Sequence, residues 1–285
     1  MYTESAPDNI SFFRHMTRAF ASRNYRLFFG GQLVSLVGTF ITQVATAWLV
    51  YRLAKTGAHP ELAESYMGNV LFAGQIALFF LTPFTGVWVD RVDRQRLLVT
   101  TQSFAMLQSF SLALLVFSHH ISIPWVIALA FIQGVINSFD MPGRQAFLVQ
   151  ILEKRENLAN AIALNSTMVH GARLIGPAIA GFVIAAVGEG WCFFIDGISY
   201  IGVIAALLAM RIRPAKVRLE KTSARSDLVE GFKYVWHFTP VRALLLLMSL
   251  VSLTGVPALM TLMPTFADHL SRGHSGPATP RYRAG

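Results

Sequence analysis

The chain has 285 residues, of which 54% are apolar and only 14% are charged, with a net charge of +9 at neutral pH. A soluble domain carries roughly 25% charged residues, so this chain has too little polar surface to cover a globule in water. The basic residues lie in short connections between apolar segments and not in one patch, which argues against a nucleic-acid-binding protein.

Seven apolar segments, each of roughly 20 residues, are long enough to cross the hydrocarbon layer of a bilayer as helices. In chain order the predicted spans are 27–51, 67–89, 97–118, 121–139, 158–188, 191–210 and 243–267. The tail before the first span lacks the order of basic, apolar and small residues that marks a signal peptide. The sequence therefore predicts an all-α polytopic membrane protein.

Lys and Arg residues lie almost entirely on alternate connections. The N-terminal tail and the connections after spans two, four and six carry most of them. The opposite side has only Arg52 and Lys55 before the last span. Because the cytoplasmic side of a membrane protein holds the excess of Lys and Arg, we expect the N-terminus to lie in the cytoplasm.

The longest connection divides the predicted chain after its sixth span. Its first half is basic and polar, and Asp227 and Glu230 in its second half have the spacing of a capping box. Apolar residues of 226–238 fall on one helical face, which predicts a helix on the cytoplasmic membrane surface. The predicted domains are a tail, 1–26, a six-helix bundle, 27–210, the basic connection, 211–240, a seventh transmembrane helix, 241–267, and a disordered polar tail, 268–285.

A charged motif follows the second span. It reads Gly86-Val-Trp-Val-Asp90-Arg91-Val-Asp93-Arg94-Gln95-Arg96. This resembles the loop signature of the major facilitator superfamily, Gly-x-x-x-Asp-Arg-x-Gly-Arg-(Arg/Lys). The sequence departs from that signature at Asp93, where the family has glycine, and at Gln95, where it usually has a basic residue.

The motif predicts a contact between helices at the cytoplasmic side. Glycine lets two helices approach closely, and a carboxylate can pair with arginine or receive a helix N-terminus. We expect Gly86, Asp90, Arg91 and Arg94 to form a cytoplasmic gate. The alternatives are a generic charged loop and a Mg²⁺ site on Asp90 and Asp93, for which the neighbouring arginines are unfavourable.

The fifth span contains a second motif, Ala172-Arg173-Leu-Ile-Gly176-Pro177-Ala-Ile-Ala180-Gly181. It is similar to the Gly-Pro signature in the fifth helix of the same superfamily, chiefly in its proton-exchanging exporters. Proline removes one backbone hydrogen bond and weakens the helix, and small residues permit tight helix contact. We expect Ala172, Gly176, Pro177 and Gly181 to be a helix-packing motif, and a merely well-packed, Pro-kinked helix is the alternative.

Arg173 lies about midway along its span. A charge at that depth costs at least about 2.5 kcal/mol on insertion scales, so it should face a cavity or a partner. We expect Arg173 to line the substrate path. A structural ion pair with Asp196 is the alternative, although Asp196 is predicted nearer the outer face.

Two polar stripes recur at helical spacing. They are Gln32, Ser35, Thr39, Gln43 and Thr46 in the first span, and Gln133, Asn137, Asp140 and Arg144 in the fourth. Polar faces of membrane helices avoid lipid, so both should face inward, either for hydrogen bonds between helices or toward a cavity.

The family resemblance favours the cavity, since first and fourth helices line the central cavity in that superfamily. The predicted substrate-cavity residues are Gln32, Thr39, Gln43, Gln133, Asn137 and Arg173. Ala130 occupies the position where the family's fourth helix carries an arginine, which weakens a proton-relay role for this helix.

Three further segments resemble bacterial exporters of the enterobactin-exporter type, with a likeness over roughly residues 15–267. They are Asn24-Tyr-Arg-Leu-Phe, Asp140-Met-Pro142-Gly-Arg144-Gln-Ala and Asn160-Ala-Ile-Ala-Leu-Asn165. The resemblance implies a multi-pass carrier of the bacterial inner membrane that exports a siderophore or an amphiphilic drug. It also implies the proton gradient as energy source, with no cofactor.

Carriers of this superfamily have twelve spans in two pseudo-symmetric halves, whereas seven are predicted here. Beyond His269 the sequence is polar and basic without an apolar pattern. We expect one six-helix half plus one helix, from a truncated or frame-shifted product. Its expected partners are the lipid bilayer, a small-molecule substrate and a missing C-terminal half, with no nucleic acid.

Two competing interpretations remain. One is a non-transporting membrane fragment of such a carrier. The other is a membrane-embedded enzyme, which we do not expect because no nucleophile, base or metal-ligand set is clustered in the sequence.

Overall fold

The computed structural model describes residues 18–57, 60–152, 158–212 and 233–251, and these ranges contain helices and no strands. Six long helices lie before residue 213: α1, Arg23–Thr56, α2, Ala63–Val89, α3, Arg94–Phe117, α4, Ile123–Ile151, α5, Leu158–Val187, and α6, Glu189–Ala209. All six are long and apolar enough to cross a bilayer. The predicted all-α polytopic membrane fold is confirmed.

Local sequence explains where several helices begin. Asp93 caps α3, because its side chain accepts a hydrogen bond from the backbone nitrogen of Arg96 at 2.9 Å. Pro124 lies in the first turn of α4, where its missing N–H has no intrahelical partner to lose. Gly188 has φ of 89°, a left-handed conformation that favours glycine, and it turns the chain from α5 into α6.

The six helices form one bundle with α6 packed between α1 and α3. In addition, α2 packs along α4, α1 packs along α5, and α3 contacts α4. One apolar cluster includes Leu49, Val126 and Phe193, and a second includes Tyr25 and Phe147. These clusters join helices that are far apart in sequence.

The outer surface of α2 carries large apolar side chains. Phe72, Phe79, Phe80 and Phe84 are all more than 60% exposed. A surface so rich in exposed aromatic groups is unfavourable in water but suits contact with acyl chains. The lipid-facing side of the bundle therefore includes this face of α2.

α4 extends further than the sequence predicted. The expected span ended near residue 139, whereas the helix continues to Ile151 with Pro142 inside it. Arg144, expected in the connection, lies within the helix and forms an ion pair with Asp140 one turn earlier. The charges that appeared to end the span neutralise each other inside the bundle, which corrects the predicted boundary.

Residues 233–251 are the described part of the second unit of the chain, which begins at Arg225. Residues 233–237 are helical, and the described part of α7, Thr239–Val251, is an apolar helix. Three predicted segments lie outside the described residues: the start of the surface helix, 226–232, the remainder of the seventh transmembrane helix, 252–267, and the polar tail, 268–285.

Candidate functional site

A cavity of about 420 Å³ lies among α1, α2, α3, α4 and α6. Pockets for drug-sized ligands measure roughly 300–1,000 Å³. Leu71, Leu112 and other apolar residues form much of the wall. Its polar residues are Thr39, Thr42, Gln43, Thr46, Gln75, Gln108, Gln133, Asn137, Asp196 and Tyr200.

Four of the predicted substrate-cavity residues lie on this wall: Thr39, Gln43, Gln133 and Asn137. The Gln133 side-chain nitrogen donates to Asn137 Oδ1 at 3.1 Å, one turn along α4. Gln133 Oε1 has no hydrogen-bond partner in the described part of the chain. The role of these residues in ligand binding stays a prediction.

Gln32 lies away from the cavity, in a cluster of buried polar residues. In the amide orientation that satisfies both groups, Gln32 Oε1 accepts from Arg144 Nε at 3.1 Å. Arg144 pairs with Asp140, whose Oδ1 accepts from Thr101 Oγ1 at 2.9 Å and from Gln102 Nε2 at 2.7 Å. These five residues, the buried polar cluster, connect α1, α3 and α4.

Each polar stripe therefore divides into two parts. Gln43, in the C-terminal half of α1, and Gln133, in the N-terminal half of α4, line the cavity. Gln32 and Asp140, in the opposite halves of these helices, are buried and form hydrogen bonds between helices. The two interpretations of the stripes, a cavity and helix-to-helix hydrogen bonds, thus apply to different halves of the same helices.

Arg173 is placed outside the cavity. It is exposed on α5, a helix that contributes nothing to the described wall, and its guanidinium lies 5.7 Å from the centre of the Phe40 ring. This is the geometry of a cation–π contact. Within the described residues it has no ion pair with Asp196, so its predicted role in the substrate path stays a prediction.

The charged motif of residues 86–96 joins α2, α3 and α4. Arg94 donates to Asp90 Oδ1 at 3.0 Å and to the carbonyl of Ala146 at 3.4 Å. Arg91 is half-buried beside them. No atom lies within 4 Å of a β-carbon built on Gly86, so the close helix approach expected there is not formed within the described bundle.

Both departures from the family signature have structural partners. Asp93 caps α3, and Gln95 Nε2 donates to the carbonyl of Leu207 at 2.6 Å, near the end of α6. The sequence had identified Gln95 only as a missing basic residue. Its amide ties α3 to α6, a role that no local pattern reveals.

The α5 motif packs along one face of the helix only. Ala172 is fully buried, and a β-carbon on Gly176 would lie 2.5 Å from Phe40 Cβ and 3.3 Å from the Val37 carbonyl oxygen. Pro177 is exposed, and a β-carbon on Gly181 would meet nothing within 4 Å. Close packing of α5 on α1 thus involves Ala172, Gly176 and Ala180, the last of which is fully buried in the apolar cluster that includes Ile41 of α1.

These two glycines provide a matched test. We expect Gly176→Ala to lower the unfolding free energy by about 1–2 kcal/mol, because the added methyl displaces Phe40. Gly181→Ala, in the same helix, should be neutral or stabilise by up to about 1 kcal/mol through helix propensity. Thermal unfolding in detergent would measure both, and equal effects would contradict the packing described.

A second close approach lies beside the cavity, between α2 and α4. A β-carbon on Gly134 would collide with the carbonyl oxygen of Gly74 and lie 3.0 Å from Ala77 Cβ. Gly74 and Gly134 both border the cavity. The closest approach of α2 to α4 therefore lies at the edge of the cavity.

Comparisons with known proteins agree with this architecture. A sequence model of the family described as transmembrane secretion effector matches residues 17–278. The staphyloferrin A transporter of Staphylococcus aureus is 26% identical over 88% of this chain and 61% of its own length. Multidrug resistance protein 2 of Bacillus subtilis is 29% identical over 73% of this chain and 51% of its own length.

A further relative is the multidrug efflux pump Tap of Mycolicibacterium fortuitum, 26% identical over 79% of this chain and 54% of its own length. The chain thus spans between about half and three-fifths of the length of these curated relatives.

Proposed function

Because the chain belongs to the transmembrane secretion effector family of the major facilitator superfamily, we propose that it is a proton-coupled exporter of a siderophore or an amphiphilic drug. The names of its relatives support this substrate class, since they include a staphyloferrin A transporter and multidrug efflux proteins. All three come from bacteria, which supports a bacterial inner membrane as its location.

The amide-lined cavity is the observation that carries the proposal. Its wall mixes side-chain amides with apolar residues such as Leu71 and Leu112, and no Lys or Arg side chain lies on the described wall. A ligand with apolar surface and hydrogen-bonding groups fits such a wall. In this proposal Thr39, Gln43, Gln133 and Asn137 contact the substrate.

The cytoplasmic motif has a separate role in the proposal. Gly86, Asp90, Arg91 and Arg94 lie at the end of the bundle that is predicted to be cytoplasmic from the distribution of Lys and Arg. The hydrogen bonds from Arg94 to Asp90 and to the carbonyl of Ala146 connect the start of α3 with the end of α2 and with α4. The pair of Arg94 with Asp90 is exposed, so making and breaking it costs little, which suits a gate.

A second candidate is a half-carrier that does not transport alone. The chain spans 61% of the staphyloferrin A transporter and 51% of multidrug resistance protein 2. Secondary transporters of this kind work by rocking two repeats around a shared site. The described bundle then supplies one side of the path, and a complementary half supplies the other.

A dye-efflux assay tests the proposal. The 285-residue chain would be expressed in bacteria lacking their own efflux carriers and loaded with a fluorescent amphiphilic dye. We expect extrusion that requires the chain and stops when a protonophore collapses the gradient. Extrusion that persists with the protonophore would refute proton coupling, and an inserted, folded chain without extrusion would favour the half-carrier.

Matched substitutions connect this activity with the cavity. We expect Gln133→Leu to lower the initial efflux rate about tenfold, since the loss of one hydrogen bond to substrate is worth about 1.4 kcal/mol. Phe79→Leu, on the lipid-facing side of α2, should leave the rate unchanged. Equal rates in both variants would show that the substrate binds elsewhere.

A further inference from the structure

Asp196 stands apart from the other residues of the cavity wall. Among the wall residues in the described part of the chain, it alone bears a carboxyl group. Only 2% of its surface is exposed. It lies on α6, a helix long and apolar enough to cross a bilayer, where a buried charged side chain is expensive and needs compensation.

The neighbours of this carboxyl group are polar but uncharged. Ser109 Oγ, on α3, donates to Asp196 Oδ2 at 2.9 Å. Within the described residues, Asp196 Oδ1 and the nearby Thr42 hydroxyl on α1 have no hydrogen-bond partner of good geometry. A β-carbon on Gly38 would lie 2.6 Å from Oδ1, so a larger residue there would displace the carboxyl group.

Positive charges on the surrounding helices are engaged elsewhere. On α4, Arg144 is paired with Asp140, and Tyr200 of α6 faces both that pair and Asp196. Arg52 of α1 is paired with Glu189 at 2.9 Å, and Arg23, Arg26 and Lys55 lie near the ends of that helix.

On α3 and α5, too, the positively charged side chains lie away from Asp196 or contact other groups. On α3, Arg94 and Arg96 lie at the start of the helix, more than three turns from Ser109. On α5, Arg173 lies over Phe40, and His170 lies one turn before it. In the described bundle, Asp196 therefore has no ion-pair partner.

From this arrangement we propose that Asp196 is the residue through which the bundle exchanges protons with its cavity. Oδ1 takes a proton from hydronium in the cavity, leaving water, and the neutral carboxyl group then donates to Thr42. Release returns the proton to water and restores the carboxylate, which Ser109 holds through Oδ2. The exchange deepens the proposed function, on which its connection with export rests.

A carbodiimide that reacts only with protonated carboxyl groups in apolar surroundings tests this assignment without any transport measurement. The full chain in membrane vesicles would be treated with dicyclohexylcarbodiimide and its peptides analysed by mass spectrometry. We expect labelling of Asp196, a decline of that labelling as pH rises, and its loss in Asp196→Asn.

Asp140 is the internal control, because it is equally buried but bonded to Arg144, Thr101 and Gln102. It should stay unlabelled, and equal labelling of Asp140 would overturn the assignment. Reaction of an Asp196→Cys variant with a maleimide would report access from the cavity. An inaccessible cysteine, or an accessible one where the native carboxyl group does not react, would also overturn it.

The outcome separates this inference from the proposed function. A chain whose Asp196 is labelled but which extrudes no dye would leave the proton exchange intact and refute transport by this chain alone. Protonophore-sensitive extrusion with an unlabelled Asp196 would support the exporter and refute this residue as the exchange site.

Discussion

Arg144→Ala is expected to destabilise the bundle by about 3 kcal/mol. Removing one partner of a buried ion pair costs about 3–5 kcal/mol, because the other charge is left without compensation. The lower end applies here, since the Arg144 side chain is 23% exposed while that of Asp140 is 4% exposed. Unfolding in mixed micelles, followed by loss of helical circular dichroism, would measure the change.

The chain contains its own control for this prediction. Asp90 and Arg94 are spaced as Asp140 and Arg144 are, but the Asp90 side chain is 70% exposed. Arg94→Ala should therefore cost no more than about 1 kcal/mol. Adding Asp140→Asn to Arg144→Ala should recover part of the loss, because the uncompensated charge is removed. Equal costs for the two arginines would show that burial of the pair is unimportant.

Gly134→Ala is expected to cost about 3 kcal/mol of unfolding free energy. Overpacking of this kind typically costs 1–3 kcal/mol, and the upper end applies because the added methyl collides with the backbone carbonyl of Gly74 and not with a flexible side chain. The helices α2 and α4 must separate to admit it. The midpoint of thermal unfolding in detergent, compared with that of the wild-type chain, would measure the effect.

Gly68→Ala on α2 is the matched variant for that substitution. A β-carbon at Gly68 meets nothing within 4 Å, so only helix propensity should change, by up to about 1 kcal/mol in favour of alanine. If both variants unfolded at the same midpoint, the contact between α2 and α4 at Gly74 and Gly134 would not contribute to stability.

The membrane fold could be predicted from the sequence because it follows from local properties. Length and apolarity of each segment determine whether a helix can cross a bilayer, and both are visible in a single chain. The end of α4 was missed because Asp140 and Arg144 look like loop charges when read singly. Inside the bundle they pair with each other, and Asp140 also accepts hydrogen bonds from Thr101 and Gln102, which lie about forty positions earlier on another helix.

The candidate site could be predicted only in outline. Helical spacing identified Gln43, Gln133 and Asn137 as inward-facing, and they do share one cavity. Spacing gives direction around a helix but not which neighbour it meets, so Gln32 could not be separated from Gln43. Gln75 and Gln108 were not identified at all, because α2 and α3 carry no polar stripe long enough to stand out.

The amides of Gln43, Gln75, Gln108, Gln133 and Asn137 form much of the polar part of this cavity's wall. Each side-chain amide offers two N–H donors and a carbonyl acceptor. A rotation of the amide group by 180° exchanges the positions of donor and acceptor. Such a surface can form hydrogen bonds with a hydroxyl, a ketone or an amine. This favours the binding of many different chemical groups over selective binding of one. Gln43→Glu would replace an amide by a carboxylate, which only accepts hydrogen bonds and carries a negative charge, and would narrow the range of ligands that the cavity can bind.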